Sequence, residues 1–144
     1  MENIFRYLNI ISKHANVYLD KALAPYELYS CHRTFIHKIV EAPGITRDKI
    51  KNMVHIHPSN TTRTIDYLEE KGYVIKKISA DDRRICELYP TDKLKEVYAV
   101  LVKAEQEWIS IITKDFSKED IEKYQELLKI STNLSIECIH KGDQ

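Results

Sequence analysis

The hydrophobic period of this chain changes at Gly72. Before it, Thr61, Ile65 and Leu68 recur at helical spacing and form one apolar-leaning stripe. Pro58 suits a first helical position, where its missing N–H has no intrahelical partner anyway. After it come "YVIKKI" (73–78) and "RICELY" (84–89), both rich in β-formers, around the turn-forming "SADDR". Gly72 itself suits a left-handed helix stop. The pattern predicts a helix, a sharp end and a β-hairpin with imperfect alternation.

The flanks are helical. A first helix fits residues 2–23, with Ile4, Leu8, Ile11, Ala15 and Tyr18 at spacings of three and four, and Pro25 ends it. A second fits 30–41, with Phe35, Ile36, Ile39 and Val40 apolar; Pro43-Gly44 then punctuates. A short third helix has Thr46 as N-cap and Ile50, Met53 and Val54 inside. Thr91 opens a long helix to about Lys114, in which Leu94, Val97, Leu101, Ala104, Trp108 and Ile111 make an a/d seam. Ser117 and Asp120 form a capping box before a last helix with Ile121, Tyr124, Leu128, Leu134 and Cys138. The fold expected is mainly α with a small β-hairpin, in one domain of 144 residues. A short helix, a tight corner around His55–His57, an amphipathic helix and a hairpin make a winged helix-turn-helix.

Several function classes are excluded. No apolar run is long enough to span a membrane. Glu2, Arg6, Asn9 and Lys13 interrupt the N-terminal stretch that a signal peptide would keep apolar, so the chain is expected to be cytoplasmic. The glycosylation matches at Asn60 and Asn133 are discounted for the same reason. Cys31, Cys86 and Cys138 make no C-x-x-C pair and no disulfide framework. No P-loop, dinucleotide fingerprint or nucleophile elbow occurs, so neither an enzyme nor a cofactor is expected. His55 and His57 form an H-x-H that is read as a polar turn, because zinc needs three or four converging ligands.

The formal net charge is zero, yet residues 47–84 carry 9 basic and 6 acidic side chains, against 8 basic and 12 acidic in residues 85–144. That suggests a basic working surface on an acidic frame. The helix opening at Pro58 starts with Ser59, Asn60, Thr61 and Thr62, which are poor helix formers, followed by the guanidinium of Arg63. A helix entering the DNA major groove presents its N-terminal residues to base edges. Asn suits adenine, Arg suits guanine, and Ser or Thr suits bases or phosphates. Ser59, Asn60, Thr62 and Arg63 lie off the apolar stripe and are expected to face outward. Lys76, Lys77, Arg83 and Arg84 put four cations on and beside the hairpin, and the first three are expected to hold DNA phosphates. A wing-tip arginine can enter a narrow minor groove, and Asp82 can hold Arg84 by a charge-assisted bond. Each feature alone has a plainer reading as helix cap or charged turn; their conjunction is more specific.

The stretch from Pro43 to Asp92 resembles the core of the MarR family of transcription regulators. The shared motifs are Pro43-Gly44-Ile45-Thr46, Ser59 to Arg63, Leu68-Glu69-Glu70-Lys71-Gly72 and Asp82-Arg83-Arg84. Lys51 departs from the family's usual small residue, and Tyr89-Pro90-Thr91 from its usual second wing strand end. The resemblance implies a winged helix-turn-helix lobe at 28–90 and a helical dimerisation lobe at 1–27 and 91–144. It also implies a homodimer on a pseudo-palindromic operator, most often a repressor. Many relatives bind small aromatic effectors in a crevice between lobes, for which His14, Tyr18, Tyr29 and Phe35 are the candidates here. The zinc-sensing branch uses histidine on the long helix after the wing; residues 92–116 have none, so no metal is expected. Cys31 is read as a buried structural thiol. The alternatives are a thiol-based redox sensor, or a winged helix used for protein–protein contact without DNA.

Overall fold

A computed structural model of the chain describes residues 2–53 and 58–142; Val54, His55 and His57 lie outside them, and with them the expected polar turn. The helices are α1 (Glu2–Leu23), α2 (Arg33–Glu41), α3 (Arg47–Met53), α4 (Pro58–Glu70), α5 (Asp92–Ile112) and α6 (Lys118–Gly142). The strands are β1 (Ile45–Thr46), β2 (Val74–Ile78) and β3 (Cys86–Pro90). No described helix is long and apolar enough to cross a membrane. Two compact units result, Met1–Trp108 and Ile109–Gln144.

Local chemistry accounts for the element ends. α1 runs into a 3-10 turn at Ala24–Tyr26, where Pro25 removes a donor, and Glu27 follows in the left-handed region at φ 58°. The expected second helix begins instead as a 3-10 turn, Ser30–His32, and becomes α-helical only at Arg33. The backbone N–H of Ser30 donates to Asp20 Oδ1 at 2.6 Å, fixing that corner to α1. Thr46 caps α3, its Oγ1 accepting from the N–H of Lys49 at 3.2 Å. Gly72, at φ 80°, closes α4: its N–H donates to the carbonyl of Glu69 and that of Tyr73 to the carbonyl of Leu68. Ser117 and Asp120 exchange backbone-to-side-chain hydrogen bonds at 3.0 and 3.1 Å, the expected capping box.

The sheet has one strand more than the hairpin expected. β1 pairs antiparallel with β3, giving the order β1-β3-β2, with Ile45 opposite Leu88 and Ile78 opposite Cys86. Gly44 makes this possible, because at φ 89° a side-chain carbon there would come within 3.2 Å of the Tyr89 hydroxyl.

One core joins the pieces of the first unit. It holds Leu19, Leu23 and Leu28, Phe35, Ile36 and Ile39, Ile50, Ile65 and Leu68, Leu88, and Leu94, Val97, Leu101 and Ala104. Burying each large side chain contributes about 1.5–3 kcal/mol. The expected α5 seam is buried from Leu94 to Ala104, half-buried at Trp108 and exposed at Ile111. Met53, expected inside, is 38% exposed, while Ile50 of the same helix is fully buried. α1 leaves Ile4, Phe5 and Leu8 at 61%, 73% and 49% exposure. In the second unit, α6 leaves Leu127, Leu134 and Ile139 similarly open, and Phe116 packs edge-on to Tyr124.

Candidate nucleic-acid interface

α4 divides its residues sharply. Thr61, Ile65 and Leu68 are fully buried, while Asn60, Thr62 and Arg63 are exposed. Ser59 lies in α4, and its side chain is outside the described part. The Thr61 hydroxyl finds no hydrogen-bond partner among the described residues. The helix thus enters the core on one stripe and keeps its amide, hydroxyl and guanidinium groups for something outside.

The wing tip is internally braced. Ser79 N–H donates to the carbonyl of Ile85 at 2.9 Å, and Ile85 N–H to that of Asp82 at 3.0 Å. Asp82 accepts from the backbone N–H of Arg84 at 3.0 Å and from Nε and Nη2 of its side chain, each at 3.1 Å. Hydrogen bonds from the Arg84 side chain, then from its backbone, hold the Asp82 carboxyl below the usual range. The Arg84 side chain is nevertheless 90% exposed. It is oriented at its base and available at its tip. Beside it, a cavity of about 200 Å³ is lined by Thr46, Arg47, Asp48, Arg84, Ile85 and Cys86.

The other wing cations differ from one another. Lys77 is exposed and its ammonium sits 4.9 Å from the centre of the Tyr89 ring. Arg83 is exposed, and neither it nor Lys77 has a carboxylate partner among the described residues. Lys76 is engaged: its ammonium pairs with Asp66 and, at 3.4 Å, with Glu69, both on α4. Those two carboxylates raise its pKa, chiefly through the hydrogen bond to Asp66.

A second set of contacts, not apparent in the sequence, fastens the back of α4. Tyr67 donates its hydroxyl to the Glu27 carbonyl at 2.5 Å, and Lys71 pairs with the Glu27 carboxylate at 3.2 Å. Tyr73 donates to the Tyr26 carbonyl at 2.6 Å. The His32 ring stacks on Tyr67 at 5.2 Å, and its Nδ1 accepts from the N–H of Tyr29 at 2.9 Å. Burial pushes the His32 pKa down, against a smaller opposite pull from Asp20. The partners of Tyr67, Lys71 and Tyr73 stand 40 to 47 positions away in the sequence, beyond the reach of any local pattern.

Residues 35–86 match the MarR family. A MarR protein from Peptoclostridium difficile DA00132 is 34% identical, with a TM-score of 0.85 over 94% of this chain and 89% of that one. The chain belongs to the MarR family. It is a transcriptional regulator and not an enzyme. The HTH-type transcriptional regulator BilQ of Clostridioides difficile (strain CD3) is 29% identical over 83% of this chain and 78% of its own length. A MarR-family regulator from Listeria monocytogenes, complexed with a 26mer DNA, shares the fold at a TM-score of 0.84, 22% identity and 95% and 92% coverage.

In this MarR-family chain the four effector candidates have separate surroundings. Tyr18 donates to Glu107 at 3.3 Å and packs 5.4 Å from Trp108; His14 bonds the carbonyl of Ile10 in its own helix. Tyr29 is exposed beside His32. Phe35 is corrected outright: at 1% exposure it belongs to the core, so it offers no surface to a ligand. Cys31 is corrected as well, being exposed and not buried. Partial desolvation, then the charge of Asp20, pushes its pKa up, which disfavours the reactive thiolate. Lys51, where the family pattern has a small residue, points to solvent beside a fully buried Ile50 and does not disturb helix packing.

Proposed function

We propose that this MarR-family regulator is a cytoplasmic, sequence-specific double-stranded DNA-binding repressor acting as a homodimer. The reading rests above all on Asn60, Thr62 and Arg63 standing exposed at the start of α4, followed by a wing whose Arg84 is held at its base by Asp82. Arg63 and Asn60 would read bases, with Ser59 and Thr62 adding base or phosphate contacts. Arg84 would enter the minor groove, with Lys77 and Arg83 on phosphates. Lys76, already held by two carboxylates, would set the wing against α4. The open apolar faces of α1 and α6 support a dimer in which the helical parts, 1–27 and 91–144, interlock and present two copies of the 28–90 lobe. A small aromatic effector near Tyr18 would act by favouring a recognition-helix spacing that fits DNA less well.

Selection of random duplexes by the purified protein, followed by sedimentation of the complex, tests this. A pseudo-palindrome with half-sites about 10 base pairs apart and two protomers per duplex is the expected result. No enriched sequence, with affinity indifferent to salt, would instead favour a protein–protein module. The wing lysines give a finer check. Lys77→Gln should flatten the dependence of log affinity on log salt by about 0.9, whereas Lys76→Gln should weaken binding with the slope retained. Fluorescence anisotropy from low to moderate salt reads both.

A further inference from the structure

His37, on α2, has a carboxylate at each ring nitrogen. Nδ1 is 3.1 Å from Glu41 Oε1, one turn along the same helix, and Nε2 is 3.0 Å from both oxygens of Glu105 on α5. Ionised carboxylates only accept. A neutral imidazole has one N–H and one lone pair, so it can satisfy one of these contacts and must set a lone pair against the other. Both contacts are favourable at once only when the ring carries two protons.

Other groups converge on the same two carboxylates. Arg33 Nε lies 3.9 Å from Glu105 Oε1. Tyr98, on α5, donates its hydroxyl to Glu41 Oε1 at 3.1 Å and presents its ring edge-on to the imidazole at 5.3 Å. Hydrogen bonds from His37, then Tyr98, hold Glu41 below the usual carboxylate range, with a smaller pull from the charge of Lys38.

We infer that His37 is a proton-operated latch between α2 and α5, closed when its ring is doubly protonated, and that opening it lowers affinity for DNA. Either deprotonation weakens the joint. Loss of the Nε2 proton releases Glu105, the direct tie to α5. Loss of the Nδ1 proton repels Glu41, the acceptor on which Tyr98 of α5 depends. α2 carries Phe35, Ile36 and Ile39 into the core and packs against β3 of the wing, so a looser α2 loosens the support of the winged helix. A less preorganised surface binds more weakly. This second half rests on the DNA-binding reading above.

The test has two arms on the full chain. The first follows the His37 ring nitrogens by NMR from acid to alkaline pH. The second measures affinity for the duplex enriched in the selection, over the same range, for wild type, His37→Gln and Glu105→Gln. Glutamine at 105 can donate its amide to the ring's lone pair, so a neutral His37 is satisfied and the latch no longer needs a second proton. The expected result is a doubly protonated ring at the acid end and a wild-type affinity falling about fivefold as it titrates, reduced to under about 1.5-fold in both variants. A single neutral tautomer throughout overturns the proposal. So does a wild-type pH dependence that persists unchanged in both variants, with circular dichroism verifying that they fold. If wild type enriches no DNA at any pH, the DNA-binding reading falls, and the nitrogen shifts alone decide whether the latch exists.

Discussion

Phe35→Ala is expected to lower the free energy of unfolding by about 3–5 kcal/mol. The side chain is 1% exposed and sits with Ile36 and Ile39 from its own helix in a core that also takes Ile50, Ile65 and Leu68 from α3 and α4. Removing the ring deletes its transfer free energy and leaves a space that close-packed neighbours fill only in part. A ligand-lining phenylalanine would behave otherwise, since its truncation would alter effector response and leave stability nearly unchanged. Urea unfolding followed by far-ultraviolet circular dichroism separates the two cases. A midpoint within error of wild type would return Phe35 to the list of ligand contacts.

Arg84→Ala is expected to weaken DNA binding by about 1–3 kcal/mol, roughly 5- to 150-fold. Three features make this the costliest wing substitution. The guanidinium is almost wholly exposed, so little packing is lost with it. Asp82 holds it by Nε and Nη2, so less conformational freedom is lost when it meets DNA. A narrow minor groove concentrates negative potential where such a group can insert. Arg84→Lys should recover only part of the loss, because a lysine cannot make the same two-point contact with Asp82. Anisotropy titrations at one fixed salt concentration measure this. An Arg84→Ala protein that binds as tightly as wild type would remove the wing from the interface.

What was legible in the chain beforehand was local. The Thr61, Ile65 and Leu68 stripe follows from helical period, and all three side chains are fully buried. Gly72 was marked by the change of period on its two sides, and Asp82 and Arg84 by a spacing short enough for a turn. β1 escaped because two residues cannot display a period of two. Phe35 was misplaced because an aromatic in a core and one in a pocket look alike in one dimension. Cys31 failed similarly: a small apolar-seeming residue beside charged ones gives no sign of which way it turns. Lys76 could be recognised as a cation near the wing, but not as the partner of Asp66 and Glu69, ten and seven positions away across a turn. His37 and Glu105 are separated by 68 positions, and only folding introduces them.

The fastening of α4 is lopsided, and that has a mechanical consequence. Tyr67 near the end of α4, with Lys71 and Tyr73 just beyond it, ties that end to residues 26 and 27, while Asn60, Thr62 and Arg63 occupy the other end. A helix of 13 residues is about 20 Å long, so the corner after α1 is a fulcrum and the helix a lever. A tilt of about 5° at the moored end sweeps the opposite tip through roughly 2 Å, most of a hydrogen-bond length. A small nudge to Tyr26 or Glu27 would therefore reach the reading end magnified, with no need for the helix to bend or melt.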